Sequence, residues 1–145
     1  MKRRKFPDGA EEYFKERPCV VHAFELPAKD DEAQDYVAKF TIRVGLFEDG
    51  APGEVFLGCG ESGTTLSGML DAFSIMVSMG LQYGIPLEVM CDKFSRTRFP
   101  PNGIVQSGVL SPPMATSPLD YAFRWLYHKF SSTGETASGG EGPTK

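Results

Sequence analysis

Between Leu66 and Leu81 apolar residues recur at steps of three and four: Leu66, Met69, Leu70, Phe73, Met76, Val77, Gly80 and Leu81. That period belongs to a helix, and it predicts one from about Thr65 to Tyr83. Ile75 and Met79 add apolar groups on other faces, so the expectation is a helix buried on more than one side. Gly84 suits its C-terminal cap. Small residues (Ser67, Gly68, Ser74, Ser78, Gly80) permit close approach within or between chains. No internal repeat is present, and a helix of this kind needs other elements to cover it.

Those elements come first in the chain. Cys19 to Leu26 reads as a strand. Asp30–Asp35 is a polar turn region, and Phe40, Ile42, Val44 and Leu46 then alternate on one face. Glu48–Gly53 forms a turn, since glycine supplies positive φ and Pro52 presets φ. Glu54–Leu57 returns as the partner strand. Pro86 opens a short helix through about Phe94. A long loop, Ser95–Thr116, holds Pro100, Pro101, Pro112 and Pro113. Loops of that length are often functional or mobile. Ser117 caps a last helix, with Pro118 in its first turn and Asp120 near the positive end of its dipole. Leu119, Ala122, Phe123, Leu126 and Phe130 form its apolar stripe. The expected fold class is α+β: a small antiparallel meander of about three strands against one long buried helix and two shorter ones.

With 145 residues, one domain is expected. It spans residues 18–130, behind a charged arm at 1–17 with a helical turn around Glu11–Phe14. A small, polar tail at 131–145 cannot offset its ordering entropy and reads as disordered. A full barrel or a two-halved dinucleotide fold does not fit. The net charge of −4 speaks against a general nucleic-acid partner. Lys2-Arg3-Arg4-Lys5 reads as a solvated basic terminus. Cys19, Cys59 and Cys91 are too few and too scattered for a disulfide scaffold, which suits a reducing cytoplasm. No signal peptide and no membrane span are expected.

Gly58-Cys59-Gly60-Glu61-Ser62-Gly63 matches G-x-G-x-x-G between a strand and a helix. A dinucleotide site needs a parallel βαβ unit, and none follows. A phosphate-binding P-loop needs a lysine where Thr64 stands. What remains is a glycine-rich turn, Glu61, Ser62, Gly63, Thr64 and Thr65, whose N–H groups could cradle an anion at a helix N-terminus. The alternative is a capped tight turn. Arg96, Arg98 and Phe99, with Lys93 nearby, could bind a phosphate and stack on a base, or form a solvated edge paired with Asp92 and Glu88. His22 and His128 read as structural, and no metal site is expected. Cys59 and Cys91 read as small buried hydrophobes, and Met69, Met76, Met79 and Met90 as core. No nucleophile–base arrangement or carboxylate pair is visible, so no catalytic residue is assigned.

Several ordered segments point to a family. Val44–Phe56, Glu61–Phe73, Leu81–Val89, Asp92-Lys93-Phe94 and Thr97-Arg98-Phe99 resemble the C-terminal region of adenosylcobalamin-dependent (class II) ribonucleotide reductases. Asp120-Tyr121 with Phe123-Arg124-Trp125-Leu126 resembles the closing helix of that region. This region is the TSCPD domain, also found as free-standing small proteins. Thr116-Ser117-Pro118-Leu119-Asp120 is similar to its name-giving Thr-Ser-Cys-Pro-Asp motif, without the cysteine.

The resemblance implies a link to deoxyribonucleotide synthesis, with radical chemistry and adenosylcobalamin housed in a separate barrel subunit. It suggests an accessory or regulatory chain of a split reductase, docking on that subunit through exposed loop residues such as Ile104, Val105, Val109 and Leu110. A free-standing module that senses or sequesters nucleotides is the alternative. A small enzyme of its own kind is a third reading, and a homo-oligomer is compatible with any of them.

Overall fold

The computed structural model describes residues 2–4, 17–60, 63–106 and 109–131. The charged arm's helical turn, Glu61, Ser62 and the polar tail beyond residue 131 lie outside the described residues.

Three strands, β1 (Cys19–Lys29), β2 (Asp35–Leu46) and β3 (Pro52–Cys59), form an antiparallel sheet in the order β1-β2-β3. Three helices follow: α1 (Thr65–Gln82), α2 (Leu87–Phe94) and α3 (Pro118–Phe130). Between α2 and α3 the long loop carries a two-residue ladder of β4 (Gly103–Ile104) and β5 (Met114–Ala115), paired antiparallel. The expected α+β class is the observed one. The extra ladder is too short to leave a periodic signal.

The chain divides into two compact units, Met1–His22 with Thr41–Leu87, and Ala23–Phe40 with Glu88–Lys145. In the first unit, Ile42, Val44, Val55 and Leu57 are buried, as the alternation requires. The β2–β3 turn is closed by Phe47 donating its N–H to Ala51, and Gly50 takes φ +86°. Asp49 accepts from the Ala51 N–H at 3.0 Å and pairs with Arg4 at 3.1 Å, which together hold its carboxyl below the usual range. Gly45 makes room for Glu54: a Cβ there would stand 2.7 Å from Glu54 Cγ. Glu54 is thereby free to meet Arg17 at 3.0 Å.

In the second unit the core is aromatic. Phe24 stacks on Phe40 at 5.2 Å between centroids and meets Tyr121 at 4.3 Å, while Phe94 packs on Phe123 at 5.2 Å. Along α3, Tyr121, Ala122, Phe123, Trp125 and Leu126 are all buried. The sequence stripe of α3 therefore understates its burial. Tyr121 and Trp125 lie off that stripe, and both are enclosed.

Helix α1 departs the other way. It is buried on one side only, along Leu70, Ser74, Val77, Ser78 and Gln82. Met69, Ile75, Met76 and Met79 are exposed. The expectation of burial on several sides, with these methionines in the core, is corrected; of the four core methionines expected, only Met90 is buried. The reason is a polar demand from the sheet, whose edge strand β3 has backbone groups to satisfy.

Candidate functional site

Two side-chain networks organise the regions that the sequence singles out. The first lies along β3. Strand β3 has a partner on one side only, so alternate residues turn N–H and C=O toward an open edge. Helix α1 packs on β3 and meets that edge. The Val55 N–H donates to Ser78 Oγ at 2.9 Å, and the Ser78 hydroxyl donates back to the Val55 carbonyl at 3.0 Å. The Leu57 N–H donates to Ser74 Oγ at 2.9 Å. Gln82 Nε2 donates to the Gly53 carbonyl at 2.9 Å.

The register matches because four helical residues rise about 6.0 Å and two strand residues about 6.6 Å. The spacing Ser-x-x-x-Ser-x-x-x-Gln is thus a ladder of side chains standing where a fourth strand would pair. Residues 2–4 join it: Arg3 Nε donates to Gln82 Oε1 at 2.6 Å, and the Arg4 N–H to the Gln82 carbonyl at 2.6 Å. Residues 2–4 are exposed, yet both arginines among them are engaged.

The second network gathers the Thr-Ser-x-x-Asp residues at the start of α3. Ser117 is the N-cap, and its Oγ accepts the Asp120 N–H at 2.9 Å. Its hydroxyl lies 2.8 Å from Thr97 Oγ1, which donates to the Phe94 carbonyl at 3.0 Å. Thr116 Oγ1 donates to the Thr97 carbonyl at 2.7 Å. Asp120 is 3% exposed, and its carboxylate accepts the Arg96 N–H at 2.6 Å and the Thr116 N–H at 3.0 Å. Arg124 Nε stands 3.3 Å from the same carboxylate.

This is a variant of the helix capping box, in which the acidic residue binds backbone N–H groups ahead of the cap. It closes the long loop at its base and holds Arg96 at φ 68°, where only an over-determined non-glycine residue persists. The motif's Thr, Ser and Asp are the bonding members. The missing cysteine's place is Pro118, in the first helical turn, where proline is tolerated. The motif as it stands here is a structural clasp. The Ser-x-x-Asp capping signal was in the sequence, but Thr97 and the Arg96 N–H as partners were not.

The anion-site candidates divide between the two units. Gly63, Thr64 and Thr65 belong to the first and are exposed; Arg96, Arg98 and Phe99 belong to the second. Gly63 has φ +82°, and Thr64 is the N-cap of α1, with its Oγ1 accepting the Ser67 N–H at 3.1 Å. Arg96 and Arg98 are exposed, and Phe99 is half-buried, its N–H donating to the Thr116 carbonyl.

Of the docking candidates, Ile104 and Val109 are exposed and Leu110 is half-buried. Val105 is corrected: it is 2% exposed, with its N–H donating to the Pro113 carbonyl at 2.8 Å. The β4–β5 pairing fixes the alternation and turns it inward. Cys91 is buried as expected, whereas Cys59 is only half-buried and Cys19 is exposed, and none of the three is in a disulfide.

A groove of about 410 Å³ in the second unit is bordered by Pro27, Lys29, Asp35, Pro100, Pro101 and Asn102. Gly103, next in the chain to Asn102, has φ +135°, and a Cβ there would stand 2.6 Å from Pro27 Cγ. Its size suits a drug-sized ligand. A corrin macrocycle with its nucleotide tail is much larger, so this groove does not fit cobalamin. Among the described residues no group of three His, Cys, Asp or Glu side chains is placed to hold a metal ion, and no helix is long and apolar enough to cross a membrane.

A small antiparallel sheet, an edge-capping helix and a clasped C-terminal helix define an α+β module, and comparison with known proteins names it. Residues 26–129 match the model of the TSCPD domain, and the chain belongs to that family. It is 50% identical over 124 residues, 86% of its length, to the vitamin B12-dependent ribonucleotide reductase of Streptomyces coelicolor. It is 38% identical over 122 residues, 79% of its length, to the enzyme of that name from Rhodopirellula baltica. The matched segment covers only 11% and 12% of those two proteins. No solved structure matches the chain.

Proposed function

We propose that this chain is an accessory or regulatory subunit of a split B12-dependent ribonucleotide reductase, acting in deoxyribonucleotide synthesis. One observation carries the reading: 86% of the chain corresponds, at 50% identity, to 11% of a reductase. The chain is thus a counterpart of one segment, and in this reading a separate barrel subunit supplies radical chemistry and adenosylcobalamin. Three cysteines outside any disulfide suit the reducing cytoplasm in which such a complex would work. Ile104 and Val109, exposed on the clasped loop, offer apolar contacts to the barrel subunit.

The test mixes the full chain with a reductase barrel subunit that carries no TSCPD segment. The reading expects one co-eluting complex, weakened by Val109→Asp. Separate elution at all concentrations would overturn it.

The second reading is a nucleotide-binding module without a reductase partner. It is favoured by the exposed Gly63, Thr64 and Thr65 at the start of α1 and by the exposed Arg96 and Arg98. A nucleotide at 100 times its dissociation constant raises stability by about 2.7 kcal/mol, read as a thermal shift. Arg98→Ala abolishes that shift if this reading is right. No shift with any nucleotide removes it.

A further inference from the structure

We propose that two copies of this chain pair through the outward face of α1, antiparallel and centred near Ser74. The proposal does not depend on the reductase reading. Met69, Ala72, Met76, Met79 and Tyr83 follow steps of three, four, three and four, the seam spacing of paired helices. Met69 and Met76 are 64% and 66% exposed, and Ile75 beside them is 55% exposed. The seryl ladder fixes this orientation. Turning α1 to bury the methionines would strip Val55 and Leu57 of their partners. The apolar face is therefore held outward by the fold.

The seam identifies its own occupant. Laid antiparallel on a copy about the helix midpoint, Met69 faces Met79, and Ala72 faces Met76. Thr65 then faces Tyr83. Large residues meet small or flexible ones at each layer, and the two-fold relation makes every contact occur twice. Charge agrees. The sole charged residue of α1 is Asp71, which stands off the seam, so a copy meets no like charge. An acidic or basic partner helix would find no counter-charge there.

Sedimentation equilibrium of the full chain from about 1 to 100 µM tests this. The expected mass rises to twice the 15.9 kDa chain. Met76→Glu and Ala72→Lys each hold the mass at the single chain, with unchanged helix content by circular dichroism. Mixing the two variants restores the double mass, because the lysine introduced in one copy then faces the glutamate introduced in the other; a misfolded variant cannot give that gain. A wild-type chain that stays single across the range overturns the proposal. So does a Met76→Glu variant that keeps the double mass, or a mixture that fails to pair.

Discussion

Helices α1 and α3 invert what their compositions suggest. By sequence α1 is the more hydrophobic, with methionines and leucines on several faces, yet it turns Ser74, Ser78 and Gln82 inward and Met69 and Met76 outward. Helix α3 carries Asp120, Arg124, His128 and Lys129, yet its first turns are enclosed, with Asp120 among the buried residues. Both helices supply side-chain oxygens to stranded backbone N–H groups. In α1 the work is spread over neutral hydroxyls along an edge. In α3 it is concentrated in one carboxylate. Apolar content alone does not decide which face is buried when a neighbouring backbone needs partners.

The comparison breaks most readily at Asp120. Asp120→Ala leaves the Arg96 and Thr116 N–H groups and the Arg124 charge without their acceptor. A loss of about 3–5 kcal/mol in denaturant unfolding is expected. Ser78→Ala strands both polar groups of Val55 and costs about 1–3 kcal/mol. A Ser78 cost equal to that of Asp120 would show that the edge is not a distributed device. Ser117→Ala removes the N-cap of α3 and costs about 1 kcal/mol. Arg96→Gly relieves a left-handed residue at φ 68°. It stabilises by about 0.5–1 kcal/mol after glycine's added chain entropy is deducted.

The smallest effect is alkaline. Burial raises the Tyr121 hydroxyl above its ordinary 10.0, against opposing contributions from the Val109 backbone and Arg124. The unfolded chain releases this proton first. Stability is therefore full below pH 10.0 and falls as pH rises from there through the folded value. Tyr121→Phe flattens that decline in alkaline melts.

Much of the fold is legible in the residues. The Phe40–Val44 alternation, the Asp49-Gly50 turn, the Thr65–Gln82 helix and the Ser117 cap follow from local rules. The β4–β5 ladder is not, because two residues carry no period. The inward face of α1 is missed for a different reason: serines at a spacing of four read as small packing residues until an open strand edge is known. The clasp is half legible. Ser117 and Asp120 form a visible capping pattern, but their use of the distant Thr97 and Arg96 depends on tertiary closure.

Amide hydrogen exchange tests most directly the claim that side chains from two helices replace missing backbone partners. In the wild type, the Val55, Leu57, Arg96 and Thr116 amides are expected to be protected. Ser78→Ala should release Val55 and leave Arg96 and Thr116 slow, while Asp120→Asn should release Arg96 and Thr116 and leave Val55 slow. Wild-type exchange of Val55 and Arg96 at the rate of an unstructured chain would contradict the account.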